Sequence, residues 1–177
     1  DVTVLRGDGS LWWAGAIELG LQNVLRYSEE SDGVLLVNND TVFAPNFVQR
    51  LLDAAHSNAP AAVGSVICDE TAPEQLLSVG AVLDTWDLRV RDKLDKLRLR
   101  DEQNGLHDVD ALSGRGTLYP LAAFRAVGTM KPKWLPHYLA DYELSVRMRR
   151  AGYRLIVTES AAVFSCNEFG SAFRARS

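Results

Sequence analysis

"GVLLVNNDTVFAPNF", residues 33–47, is the stretch that decides the fold. Val34 to Val37 form an unbroken apolar run, the pattern of a strand buried on both faces. Asn38-Asn39-Asp40 ends it on amide and carboxylate side chains, and Pro45 suits the first turn of a helix. Upstream, Trp13, Ile17, Leu21, Val24 and Leu25 recur at helical spacing, which predicts a helix from Leu11 to about Tyr27 with Ser10 able to cap it. The β-branched run "VTVL", residues 2–5, reads as a short strand before it. Downstream, Phe47, Leu51, Leu52 and Ala55 give the next helix a buried stripe through about Ser57, and "AAVGSVIC", residues 61–68, is another buried strand. Alternation of strand and helix predicts an α/β fold with a central, mainly parallel sheet. In such sheets ligands gather at the carboxyl ends of the strands, where Asn38, Asn39 and Asp40 lie.

The middle of the chain changes character. "LLSVGAVLDTW", residues 76–86, suggests one or two strands, and "LRVR" and "LRLR", residues 88–91 and 97–100, alternate as a solvent-facing hairpin would; a helix or mobile loop over 86–106 is the alternative. "HDVDALSG" reads as a strand leading to Gly114-Arg115-Gly116, followed by a short helix closed by Gly128. Leu139, Leu144, Met148 and Ala151 form the stripe of a final helix, stopped by Gly152 before the strand "YRLIV".

The 177 residues, 47% hydrophobic and 24% charged, suit one domain over 1–177. A net charge of −4 offers no basic surface for nucleic acid. Two cysteines without metal-type spacing imply free thiols and a cytoplasmic setting. No apolar run reaches the ~18 residues of a membrane span.

Asp40, at a strand end and flanked by amides, can hold Mg²⁺ or Mn²⁺, cations that take one or two protein carboxylates together with substrate phosphates. A capped turn explains the same three residues without a ligand. Asp141 and Glu143 open the final helix; a carboxylate there is either a general base or a charge matched to the helix dipole.

In their order these segments resemble the inverting GT-A glycosyltransferases of family 2, including rhamnosyltransferase-like members, over almost the whole chain. "GDGSLWWAGAIELGL" is similar to that family's glycine-punctuated helix start, and "GVLLVNNDTVFAPNFVQRLL" to its strand, D-x-D-type metal motif and helix. "VDALSGRGTLYPLAAFRAVG" is similar to its glycine-containing strand and helix, and "LPHYLADYELSVRMRRAGYRLIV" to the segment carrying its catalytic Asp. The resemblance implies a GT-A-like nucleotide-diphospho-sugar transferase sandwich. It implies Asp40 as ligand of Mg²⁺ or Mn²⁺ bridging a nucleotide-sugar diphosphate, with Asn38 and Asn39 beside it. It implies Asp141 as general base and Glu143 in support. Gly114, Arg115 and Gly116 match the segment lining the donor and acceptor pockets, where glycines let backbone approach a ligand and Arg115 can pair with phosphate. Trp12 and Trp13 can stack on a sugar or base, and Trp134, Pro136, His137 and Tyr138 match a segment bordering the acceptor. The acceptor expected for the family is a glycan or a lipid-linked one, at the inner membrane face.

The chain departs from the family pattern in three places. It begins after most of the nucleotide-binding strands, so an N-terminally truncated fold and a homodimer through exposed sheet edge are expected. Glu18 stands where a neutral polar residue is common, and Ser165 where many members carry a histidine of the metal site. The rival function is a non-catalytic binding or interaction module that kept the fold; a nucleotidyltransferase is a third reading, without a reason for the segment around Asp141.

Overall fold

The computed structural model describes residues 2–84, 86, 89–96 and 105–165. In chain order the elements are α1 (Trp12–Val24), β1 (Gly33–Leu36), β2 (Val42–Phe43), α2 (Phe47–Ser57), β3 (Ala61–Asp69), β4 (Leu76–Ser78), β5 (Ala81–Asp84) and β6 (Arg89–Asp92). A 3-10 turn, Lys93–Lys96, follows, then β7 (Leu106–Asp108), β8 (Thr117–Pro120), α3 (Leu121–Val127), α4 (Ala140–Arg150) and β9 (Arg154–Ser165). The main sheet runs β1-β8-β3-β9-β2, with β4 added beside β3 and β7 beside β9; β5 and β6 form a separate hairpin.

The expected α/β architecture is present, but the sheet is mostly antiparallel rather than mainly parallel. β3 and β9 pair in parallel, while β1 pairs antiparallel with β8 and β8 antiparallel with β3. The physical reason is the route into β8. Its chain arrives through the turn at residues 114–116, on the edge where β1 and β3 end, so it must run back between them. β1, β3 and β9 therefore still share one direction, and their carboxyl ends define one edge. β1 and β2 stand at opposite margins of the sheet, with residues 37–41 alone between them.

Period-two alternation along β3 sends Ala62, Val66 and Cys68 into one core and Ala61, Val63 and Ile67 into the other. α2 covers the second face with Phe47 and Leu51, both fully buried; α1, α3 and α4 cover the first with Leu21, Phe124, Leu144 and Met148. Burying such a side chain contributes ~1.5–3 kcal/mol, which explains why helices of modest propensity hold here. The parallel pairing of β3 with β9 shifts register between Ser65 and Val66, so Thr158 faces Ser65 but Ala162 faces Val66. Below this bulge β9 takes β7 on its outer side; above it, β2.

Several local expectations are corrected. Residues 2–5 form no strand and are exposed. Leu11 is the N-cap of α1, and Ser10 instead bonds Asp8. Asn46 is the N-cap of α2, so Pro45 precedes that helix rather than opening it. Residues 89–92 do form a hairpin arm, but its partner is β5; residues 97–104 of the expected loop or hairpin lie outside the described residues, as does Cys166. Leu139 is left out of the α4 stripe and is 38% exposed, because it sits in left-handed backbone (φ 65°) as the N-cap. Among the described residues no helix is long and apolar enough to cross a membrane.

Candidate functional site

Four segments meet at the edge formed by the carboxyl ends of β1, β3 and β9: the Asn38–Thr41 turn, the turn at Gly114–Gly116, the start of α4 and the start of α1. Gly116 knits the strands there, its N–H donating to the Leu36 carbonyl (3.0 Å) and its carbonyl accepting the Ser65 N–H (3.0 Å).

Asp141, in the first turn of α4, is the best-defined functional group of the edge. The Gly114 N–H donates to its Oδ2 at 2.9 Å, and its own neighbour's N–H, from Tyr142, donates to Oδ1 at 2.9 Å. Burial pushes its carboxyl above the ordinary range, partly offset by those two N–H groups and by the charge of Arg115. A carboxylate with a raised pKa and fixed orientation is suited to accept a proton near neutral pH. Ser145, fully buried, donates to the Asp141 carbonyl (2.8 Å) and accepts the Leu112 N–H (3.1 Å), tying the helix to the segment that carries Gly114. Beside it, burial and then the charges of Asp141 and Asp92 push Tyr142 up to about 12, so its phenol stays neutral.

Glu143 is turned to structure. Lys131 and Arg147 both donate to its carboxylate, at 3.0 and 2.7 Å, with a second Arg147 bond at 2.9 Å. Desolvation works to raise its pKa, but these bonds prevail and hold it below the ordinary range. Arg147 also donates to the carbonyls of Val127, Gly128 and Thr129, closing the end of α3 against α4. Arg147→Ala is expected to cost about 2–3 kcal/mol, since it strips three carbonyls and a part-buried carboxylate of their donor. Urea denaturation checks this; Glu143's own share is present above the ordinary carboxyl pKa and is lost as pH falls through the lowered one.

The two glycines have a packing reason. A Cβ on Gly114 would lie 2.5 Å from the Trp13 ring, and one on Gly116 (φ 78°) 2.5 Å from Ser65 Oγ and 2.7 Å from Val163. Their missing side chains are filled by protein. Arg115, between them, donates from Nη1 to Ser165 Oγ at 3.2 Å. A guanidinium thus stands beside Ser165.

Trp13, on the sequence pattern a residue of the core stripe or a stacking platform, links the parts. Its Nε1–H donates to Asn38 Oδ1 at 3.1 Å while its ring lies on Gly114. Asn39 and Asp40 are exposed, and the Asn38 carbonyl accepts the Thr41 hydroxyl (2.7 Å), as a capped turn would. Among the described residues no group of three or more His, Cys, Asp or Glu could hold a metal. Within the turn Asp40 is the one carboxylate, a ligand type suited to a hard cation held mainly by phosphates.

Beyond Asp141 the surface is aromatic: Trp12 is 68% exposed, Trp134 84% and Tyr138 64%. His137 contacts the rings of both Trp12 and Tyr138, and the Ala14 N–H donates to the Pro136 carbonyl (2.9 Å), docking this segment on α1. Glu18 accepts from Gln22 and from Thr129, so it is tied into the α1 surface. A groove of about 400 Å³ runs between α1 and residues 132–136 on that side. Sequence reasoning missed Trp13's polar bond and Ser145, whose only signal is a small polar residue on an otherwise apolar helix face.

Comparison with known proteins places this geometry in context. The profile described as Glycosyl transferase family group 2 matches residues 33–176. Uncharacterized proteins of Mycobacterium tuberculosis (strains H37Rv and CDC 1551) and Mycobacterium bovis are each 29% identical over 164 residues, 91% of this chain and 55% of theirs. The chain thus spans about half the length of the curated relatives it matches. The crystal structure of GalNAc-T7 with UDP, GalNAc and Mn²⁺ aligns with a TM-score of 0.70 at 14% identity, over 92% of this chain and 32% of that one. At that identity the likeness establishes the GT-A fold alone.

Proposed function

The chain belongs to glycosyl transferase family group 2, and from that premise we propose that it serves the transfer of a sugar from a nucleotide diphosphate to an acceptor hydroxyl with inversion. The observation that carries the reading is the desolvated Asp141 carboxylate, held by the Gly114 N–H at the strand-end edge. In this reading Asp141 takes the proton of the acceptor hydroxyl as that oxygen attacks the anomeric carbon from the face opposite the diphosphate. The new C–O bond forms as the bond to the phosphate oxygen breaks, and the nucleoside diphosphate leaves with the electron pair. Arg115, at the same edge, offers positive charge to that leaving group. Mg²⁺ or Mn²⁺ at Asp40 would neutralise charge on the diphosphate when bound. Manganese and UDP accompany GalNAc-T7 in its crystal, which supports the metal and nucleotide-diphosphate part of the reading by analogy of fold.

The exposed rings of Trp12, Trp134 and Tyr138 suit a sugar face on the acceptor side, a glycan or a lipid-linked one. Calorimetry with Mn²⁺ and a panel of nucleoside diphosphates tests the donor half. Binding is expected to weaken about tenfold or more in Asp40→Ala, since even partners one shell out from a metal are worth about 10–100-fold in affinity. No binding by folded wild-type protein would sink the proposal; binding without transfer of any sugar would favour the non-catalytic module.

A further inference from the structure

Indole nitrogen carries a hydrogen and has no lone pair to offer, so it can only donate. The Trp13 Nε1–H lies 3.1 Å from the Asn38 side chain, and the atom facing it must therefore be the amide oxygen. Nothing local is free to reverse this choice. Trp13 is part-buried on the first core, its ring is wedged against Gly114 at a distance where a Cβ would collide, and Asn38, two residues past the end of β1, is held by the Thr41 hydroxyl on its carbonyl. With Oδ1 committed, the side of Asn38 left over is its N–H₂ group, and no described residue accepts from it.

We propose that Trp13 is a positioning residue that turns the Asn38 amide so that position 38 meets the donor diphosphate as a hydrogen-bond donor and does not ligate the metal. The inference rests on the nucleotide-sugar reading above and sharpens it. It divides the Asn38-Asn39-Asp40 turn into two chemistries: an oxygen for a cation at Asp40, and N–H groups for phosphate oxygens at Asn38. The electrostatics agree. At the same edge Arg115 is bonded to Ser165, so the guanidinium and the Asn38 N–H₂ are two donor groups set against the carboxylates of Asp40 and Asp141. An amide N–H₂ aimed at phosphate contributes without adding the repulsion that a further carboxylate would bring.

The test uses inorganic pyrophosphate and the nucleoside diphosphate panel as probes, with ¹⁵N-labelled protein. In wild type the Asn38 side-chain N–H₂ signals are expected to shift as pyrophosphate saturates, while the Trp13 indole signal stays near its free position. Trp13→Phe keeps a ring on Gly114 but frees the amide, and should weaken diphosphate binding about fivefold, the worth of one net hydrogen bond. Asn38→Asp keeps an acceptor for Trp13 but removes the N–H₂ group; it should weaken binding more in EDTA than in saturating Mn²⁺. That pair of responses separates positioning from mere support, which would lower the melting temperature of Trp13→Phe without altering the metal dependence of Asn38→Asp. Wild type that binds a nucleoside diphosphate while the Asn38 signals stay still, or Asn38→Asp that binds as wild type in EDTA, overturns this inference and leaves the proposed function standing. Wild type that binds neither probe overturns both.

Discussion

Asp141→Asn is expected to lower the rate of sugar transfer by about 10²–10⁴-fold, the range that a general base contributes. The replacement keeps an oxygen for the Gly114 N–H and gives up only the acceptor of the Tyr142 N–H, so α4 stays tied to residue 114 and the main loss falls on proton transfer. In wild type, the acidic limb of kcat/KM should sit above the ordinary carboxylate range, in the direction in which burial moves Asp141. Stability gives an independent check, and its sign runs the other way from activity. Because the folded-state pKa is raised, the folded protein holds this proton more tightly than the unfolded chain does. The stabilisation is complete below the unfolded value and is lost as pH rises through the folded one. At neutral pH the wild type therefore carries the cost of a buried charge that Asp141→Asn lacks, and the variant should melt no lower. Transfer that survives the substitution at wild-type rate would remove Asp141 from the chemistry. A variant that melts markedly lower would recast the residue as structural.

Gly116→Ala should be among the most damaging single methyl additions on the described surface of the site. The residue has φ 78°, where a Cβ costs about 1–2 kcal/mol, and the methyl would meet Ser65 Oγ, Val163 and Phe47 inside a filled core. Overpacking adds about 1–3 kcal/mol, and for a domain of this size a combined loss near ~3 kcal/mol lowers the melting temperature by roughly 6–12 °C. Gly9→Ala is the matched comparison: φ is 87° but nothing lies within 4 Å of the new atom. Scanning calorimetry of both separates backbone strain from collision. Equal losses would mean that packing at Gly116 contributes nothing.

These expectations show which parts of the molecule the sequence made legible. The apolar run of residues 34–37, the stripe of α2 and the acidic start of α4 were readable because hydrophobic period and helix-end chemistry are local properties. Strand direction was not. Buried parallel and antiparallel strands share one composition, and the reversal of β8 depends on where a three-residue turn stands in space. Gly114 and Gly116 stand out in the sequence as special positions, and the fold adds a reason of packing that the sequence does not carry: the space beside them holds Trp13, Ser65 and Val163. Trp13 reads in the sequence as a residue of the core stripe or a stacking platform, because its ring follows the helical spacing. Its nitrogen finds a partner 25 positions away, and no spacing rule carries that information. The sequence singles out Asp141 by kind and place, while its desolvation comes from neighbours that only the folded chain supplies.

The placing of β1 and β2 at opposite margins of the sheet has a mechanical meaning for Asn38 and Asp40. Neighbouring strands lie ~4.8 Å apart, so four intervals in the order β1-β8-β3-β9-β2 amount to roughly 19 Å. From Leu36 to Val42 the chain has six steps, with a reach of about 20–22 Å when fully drawn out. The segment is not drawn out, because residues 39 and 40 form a turn; the twist of the sheet brings its two margins closer than a flat count of strands gives. The segment crosses between the two margins through a turn closed by the Thr41 hydroxyl on the Asn38 carbonyl, and it is anchored on both banks by ladder bonds. An insertion here would act on ligand geometry long before it disturbed the core, because the strands on both banks hold their own ladders without it.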